Sequence, residues 1–168
     1  MRRYLLISAV LSLGGALVAA APAAAGGPPV ENSTQHIVNE PGTAIGVDPC
    51  TGQAGELTTV DTGVIHFAAF ADGTVHFTGT IHERFSADLF PTDGTPDTTG
   101  TVTARFGGNG LLNEDGTASG KAQTAFTTNG RATNADGSTF TFHQSGNTVF
   151  DPNGVPKLEV FHEKAHCL

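Results

Sequence analysis

His162, Glu163 and His166 stand in the order H-E-x-x-H within the closing stretch "FHEKAHCL", residues 161–168. On a helix that spacing sets two imidazoles one turn apart, where both reach one zinc ion and the glutamate acts as general base. On a strand, four residues span roughly 13 Å, too far for a shared ion. The context decides between them. "VPKLEVFHEKAHC" follows a turn signal, interleaves Val, Leu and Phe with polar residues, and ends on a cysteine. It reads as a strand. A third ligand would normally follow, and only Cys167 and Leu168 remain. No metal and no cofactor is expected.

Three further histidines, His66, His76 and His82, could converge on one face of a hairpin. Their spacing is loose and no carboxylate accompanies each, so they read as surface or interior-lining side chains. No G-x-S-x-G elbow presents an activated serine, and "SGK" at 119–121 lacks the surroundings of a phosphate loop. No catalytic residue is assigned.

A recurring turn must position these side chains. "FADGT" (70–74), "PTDGT" (91–95), "NEDGT" (113–117), "NADGS" (134–138) and "DPNGV" (151–155) each place Asp or Asn before Gly. Asp or Asn favours the bend and Gly takes the left-handed position after it, which gives a type I turn closed by a glycine bulge. The intervening segments are rich in Thr, Val, Phe and Ile, and no apolar period of 3.6 residues is sustained. Strands are predicted near 35–47 (broken at Pro41), 56–71, 74–88, 98–113, 117–133, 138–150 and 155–167. The stretch 91–100 is the least regular connection. The fold class is all-β: a single antiparallel meander of about 7–8 strands. Exposed edges invite aggregation, so the meander is expected to curl into a closed or nearly closed barrel.

With Ala71, Asp72 and Gly73 as the first loop, Ile65, Phe67, Ala69, Val75, Phe77, Ile81 and Phe85 share an apolar face. The opposite face carries His66, His76, His82 and Arg84. In the last hairpin, with loop 152–154, Phe140, Phe142, Phe150, Leu158 and Val160 share a face, with His162 and His166 further along it.

Residues 1–25 read as an export signal: Arg2 and Arg3, an apolar run, then "APAAA" at a cut site. Residues 26–46 form an N-terminal segment with the first strand, and 47–168 the barrel domain. Loss of Arg2 and Arg3 with the signal leaves six Lys or Arg against sixteen Asp or Glu, a net charge of about −10. Such a balance argues against nucleic acid and anionic membranes as partners. No later segment is expected to cross a membrane. Cys50 and Cys167, the only cysteines, read as one disulfide in an extracytoplasmic protein.

All eleven Phe follow the signal, Trp is absent, and Tyr4 falls within the signal. Sugar-binding surfaces usually stack rings of Trp or Tyr, so a polysaccharide-binding module is disfavoured. Phe-rich interiors suit a packed core or an apolar ligand. Phe67, Phe77, Phe140, Phe142, Val160 and His162 are the candidate cavity-lining residues.

"VDPCTGQAGEL" (47–57) resembles the "NPCTGE" opening of a group of exported bacterial all-β proteins with a C-terminal cysteine and no assigned function. "TGVIHFAAFADGTVHFTG" and the last hairpin through "AHCL" are similar to that group's layout; Asp48 stands where the group has Asn. The resemblance spans about residues 47–168 and implies the all-β fold and the Cys50–Cys167 bridge. It carries no catalytic residues. The expected function is a secreted, non-enzymatic barrel that binds a small apolar ligand. The alternatives are an extracellular structural or interaction module with a filled core, and a barrel enzyme of the cyclase or dirigent type.

Overall fold

The computed structural model describes residues 28–112, 118–151 and 155–168. Seven strands follow one another in the chain: β1 Glu31–Val47, β2 Ala54–Ala69, β3 Thr74–Leu89, β4 Thr98–Leu112, β5 Ala118–Asn134, β6 Thr139–Phe150 and β7 Pro156–Cys167. They form one antiparallel sheet in the order β1-β2-β3-β4-β5-β6-β7.

Two of the predicted turns are near copies. The Phe70 amide donates to the Thr74 carbonyl and Gly73 N–H to the Phe70 carbonyl; Asn134, Ser138 and Gly137 repeat the pattern. Gly73 and Gly137 hold φ of 80° and 86°, which an L side chain resists. The Asp72 and Asp136 carboxylates accept the Thr74 and Ser138 amides at 2.9 Å each, which fixes the bend. The motifs around Gly116 and Gly154 lie outside the described residues, as does the expected signal at 1–25. "PTDGT" is different: Asp88 accepts the Asp93 and Gly94 amides and Asp97 the Leu89 amide, which ties down a longer loop.

The break expected at Pro41 lies earlier. Register shifts between Ile37 and Glu40, where Asn39 takes a φ of 52°. Pro41 itself pairs with Val60, tolerated because β1 is an edge strand.

Glycine shapes the sheet. Within the ladders, Gly79 stands opposite Phe106, Gly100 opposite Phe85, Gly108 opposite Phe77, Gly130 opposite Phe142 and Gly146 opposite Phe126. In each pair the ring lies where a Cβ on the glycine would be. A ring laid flat over a bare backbone brings the strands round sharply and fills the concave side. Leu57 of β2 and Phe140 and Phe142 of β6 thereby join one core cluster with Phe85, Ala87, Val102 and Ala132. A second cluster, Ile37, Ile65 and Ile81 with Phe67 and Phe106, lies nearer the other end.

The ladder does not close. Among the described residues β1 and β7 are not paired with each other, so the closed barrel is replaced by a coiled, open sheet. Both edges carry features that discourage pairing: the irregularity at Asn39 and Pro41 on β1, and Pro156, Lys157 and Lys164 on β7. The two ends of the sheet are joined covalently instead. Cys50, just after β1, is bonded to Cys167 at the end of β7, with Cα atoms 5.9 Å apart. Among the described residues no helix is long and apolar enough to cross a membrane.

Candidate functional site

Alternation along β2 sends Leu57, Thr59, Asp61, Ile65 and Phe67 to the concave side; along β3 it sends Phe77, Ile81, Glu83, Phe85 and Ala87 there. The carboxyls of Asp61 and Glu83 therefore stand directly opposite each other, between the two apolar clusters. Glu83 is 7% exposed. Burial, then the Asp61 charge, then a hydrogen bond donated to Asp61 raise the Glu83 carboxyl from 4.5 to about 7. Burial also raises Asp61, and the hydrogen bond from Glu83 offsets part of that rise. Two carboxyls in contact in a place of low polarity resist ionising together; below about pH 7 the pair holds one proton, and it titrates as a unit.

The polar band continues on the other wall. Thr128, Gln144 and Glu163 are aligned across β5, β6 and β7, and Thr128 and Gln144 are each 5% exposed. Burial raises Glu163, and the adjacent Gln144 amide pulls it back part of the way. The Gln144 amide stands near that carboxylate without full hydrogen-bond geometry: Gln144 Nε2, Glu163 Oε1 and Asp61 Oδ1 have no hydrogen-bond partner among the described residues. A buried polar atom without a partner costs about 1–3 kcal/mol, so groups of this kind look for one.

The band separates two unlike ends. Towards the disulfide the interior is packed, with a cavity of about 20 Å3 among Gly46, Leu57, Phe85, Ala87 and Phe140, room for about one water. Towards the opposite end the rings are only half-buried. Phe67 and Phe77 lie 6.4 Å apart between centroids, Phe77 and Phe106 6.4 Å, and Phe126 and Phe161 6.2 Å. Phe161 is 50% exposed.

Family models, curated proteins and solved structures yield no match to this chain. The chemistry of the concave face is the basis for a functional reading.

Of the cavity-lining residues named from sequence, Phe67, Phe77, Phe140 and Phe142 do face inward. Phe140 and Phe142 belong to the packed end, and Phe67 and Phe77 to the open one. Val160 and His162 do not face inward. An irregularity between Val149 and Phe150 slips the last hairpin by one residue, so Val160 pairs with Asn147 and His162 with Ser145 on the outer face. Phe161 and Glu163 take the inward positions. The H-E-x-x-H residues lie in strand β7 with both imidazoles outward and the glutamate inward. His66 Nδ1 bonds Thr34 Oγ1 at 2.9 Å, His82 Nδ1 bonds Thr103 Oγ1 at 3.1 Å, and His76 packs on the Phe70 ring. Among the described residues no three His, Cys, Asp or Glu side chains gather as a metal-binding group.

Reading apolar alternation alone passes over Asp61 and Glu83. The signal was present: Glu83 falls between Ile81 and Phe85 on the core face, and the turn at Gly73 sets Asp61 across from it.

Proposed function

We propose that this chain is an exported ligand-binding protein whose coiled sheet works as a barrel with a slit between β1 and β7. Its ligand is a small amphiphile. The apolar body lies on Phe67, Phe77, Phe106, Phe126 and Phe161 at the open end. A hydroxyl or amine head reaches the polar band, donating to Asp61 and Glu163 and accepting from Gln144. The observation that carries the reading is Gln144, 5% exposed, with its amide nitrogen unpartnered beside the Glu163 carboxyl, which itself has an unpartnered oxygen; Asp61 Oδ1 on β2 is unpartnered as well. Pockets of this kind are mostly apolar with a few convergent polar groups.

The test is titration with N-phenyl-1-naphthylamine, whose fluorescence rises in apolar surroundings and whose single N–H is a donor. Saturable 1:1 binding that weakens in Q144L and D61N supports the proposal. No binding, together with no retained small molecule in native mass spectrometry of protein taken from culture medium, favours the filled-core interaction module instead.

The Asp61–Glu83 pair favours a second reading. A carboxyl that keeps its proton near neutrality is an acid catalyst in waiting, which suits the cyclase-type alternative. Turnover of a bound molecule, abolished in E83Q with binding kept, would establish it.

A further inference from the structure

The outer face is built on a different plan from the concave one. Register places Arg84, Thr101, Arg131, Thr141 and His166 in one straight row across β3 to β7. The next row reads His82, Thr103, Asn129, His143, Lys164, and the third Thr80, Arg105, Thr127, Ser145, His162. These fifteen positions hold four permanent cations, four imidazoles and seven hydroxyl or amide side chains. They hold no carboxylate, aromatic ring or aliphatic side chain, although the chain as a whole is acidic with a sequence pI of about 5.1. The carboxylates of β3 to β7 that lie near these rows, Glu83 and Glu163, point to the concave side. With strands about 4.8 Å apart and alternate residues about 6.8 Å apart, the patch measures roughly 19 by 14 Å.

Two features give the patch shape. His82 is oriented by Thr103, and His143 Nδ1 lies 2.8 Å from Asn129 Oδ1. A groove of about 340 Å3 crosses β5 to β7 within the rows; Asn129, Thr141, His143, Lys164 and His166 line it together with Gly130, Phe142 and Ala165.

We infer that this wall is a docking surface for an acidic polysaccharide. The cations meet the anionic groups of the polymer, and the Thr, Ser and Asn side chains between them meet sugar hydroxyls. The contacts by which single-stranded nucleic acid stacks and a membrane surface is penetrated are missing from these rows. There is no ring on which a nucleobase could stack and no apolar side chain to enter a bilayer. The net charge argues against long-range attraction to anions, but screening at 0.15 M salt confines each charge to about 8 Å, so the local arrangement decides. This inference uses the opposite face from the proposed ligand site, and either stands without the other.

The experiment is affinity electrophoresis and calorimetry of the full chain at pH 7 against polygalacturonate, with neutral dextran, single-stranded DNA and anionic vesicles in parallel. Binding to polygalacturonate, weakening with salt and absent for dextran, is expected. The triple variant R84Q/R131Q/K164Q should bind at least about tenfold more weakly in 50 mM salt, with the slope of log K against log salt reduced by about 2–3. If the triple variant unfolds by circular dichroism, R131Q and K164Q singly should each lower the slope by about 1. Absence of polygalacturonate binding, equal binding to dextran, tighter binding to DNA or vesicles, or variants that bind like the parent would each overturn the inference.

Discussion

Replacing Glu83 by glutamine tests the buried acid pair directly. The Glu83 carboxyl titrates at about 7 in the folded chain against 4.5 in an ordinary setting. Between those pH values the unfolded chain has released this proton and the native chain still holds it. Raising the pH through that window therefore favours unfolding, by about 1.4 kcal/mol for each pH unit. The stabilisation is complete below 4.5 and is lost by the time the pH has passed 7. The full interval corresponds to at most about 3 to 4 kcal/mol, and partial solvent screening of the pair brings the expected loss to roughly 2 kcal/mol. Asp61 and Glu163 are raised as well and act in the same direction. Asp72 and Asp136 are lowered by their turn hydrogen bonds; their contribution is present above the ordinary carboxylate range and lost in acid, so it falls outside this window. In E83Q the new amide keeps a donor for Asp61 and cannot ionise. Urea unfolding at half-unit steps from pH 4.5 to 8 should show the parent losing stability as pH rises, and E83Q keeping only the smaller slope left by Asp61 and Glu163. At pH 8 the variant should be the more stable by roughly 1–2 kcal/mol, with an unchanged m-value. A parent whose stability is level across the window, or a variant with the parent's slope, refutes the shared proton.

Asp61→Asn should lower the Glu83 titration below about 7 without returning it to 4.5, because burial, the largest cause, remains; carboxyl carbon shifts in NMR report it. The double variant C50S/C167S opens a loop of 117 residues. It should lose about 2–5 kcal/mol in chemical denaturation, and the oxidised parent should show no reactive thiol. Gly100→Ala places a methyl 2.6 Å from both the Phe85 ring and the Arg131 carbonyl oxygen, and the backbone atom cannot rotate away. A loss of about 1–3 kcal/mol in urea melts is expected; a loss under about 0.5 kcal/mol would mean that the glycine is not needed for the curl.

The strands were legible because turn chemistry punctuates them. Asp-Gly or Asn-Gly pairs near every twentieth residue leave segments of fixed length, and β-branched residues fill those segments. Predicted limits therefore fall within a few residues of the observed strands throughout. The parity of the first hairpin was legible for the same reason: a three-residue loop leaves one register, and Phe67 meets Phe77 as the count requires. The last hairpin was not legible, since one extra residue after the turn exchanges the two faces of a strand. Val149 pairs with Leu158, and the exchange moves His162 outward and Glu163 inward. Chain closure was not legible either. It depends on how two edges meet, and β1 and β7 carry the proline and lysine that keep edges apart.

The glycines within the strands link the fold to the site. Read one at a time they look like weak points in a sheet. Read across the ladder, each of five faces a phenylalanine on the neighbouring strand, a pattern that appears only once register is known. The same ring-over-glycine pairs that draw the sheet round also carry β6 and β7 towards β2 and β3. Without that curvature Asp61, Glu83, Gln144 and Glu163 would be spread along an open surface, hydrated and ordinary. With it, burial becomes the first cause of the rise at each of the three carboxyls. The unusual acidity of the band is thus a property of the glycines as much as of the acids, and a glycine substitution that flattens the sheet should return Glu83 towards 4.5 before it unfolds the chain.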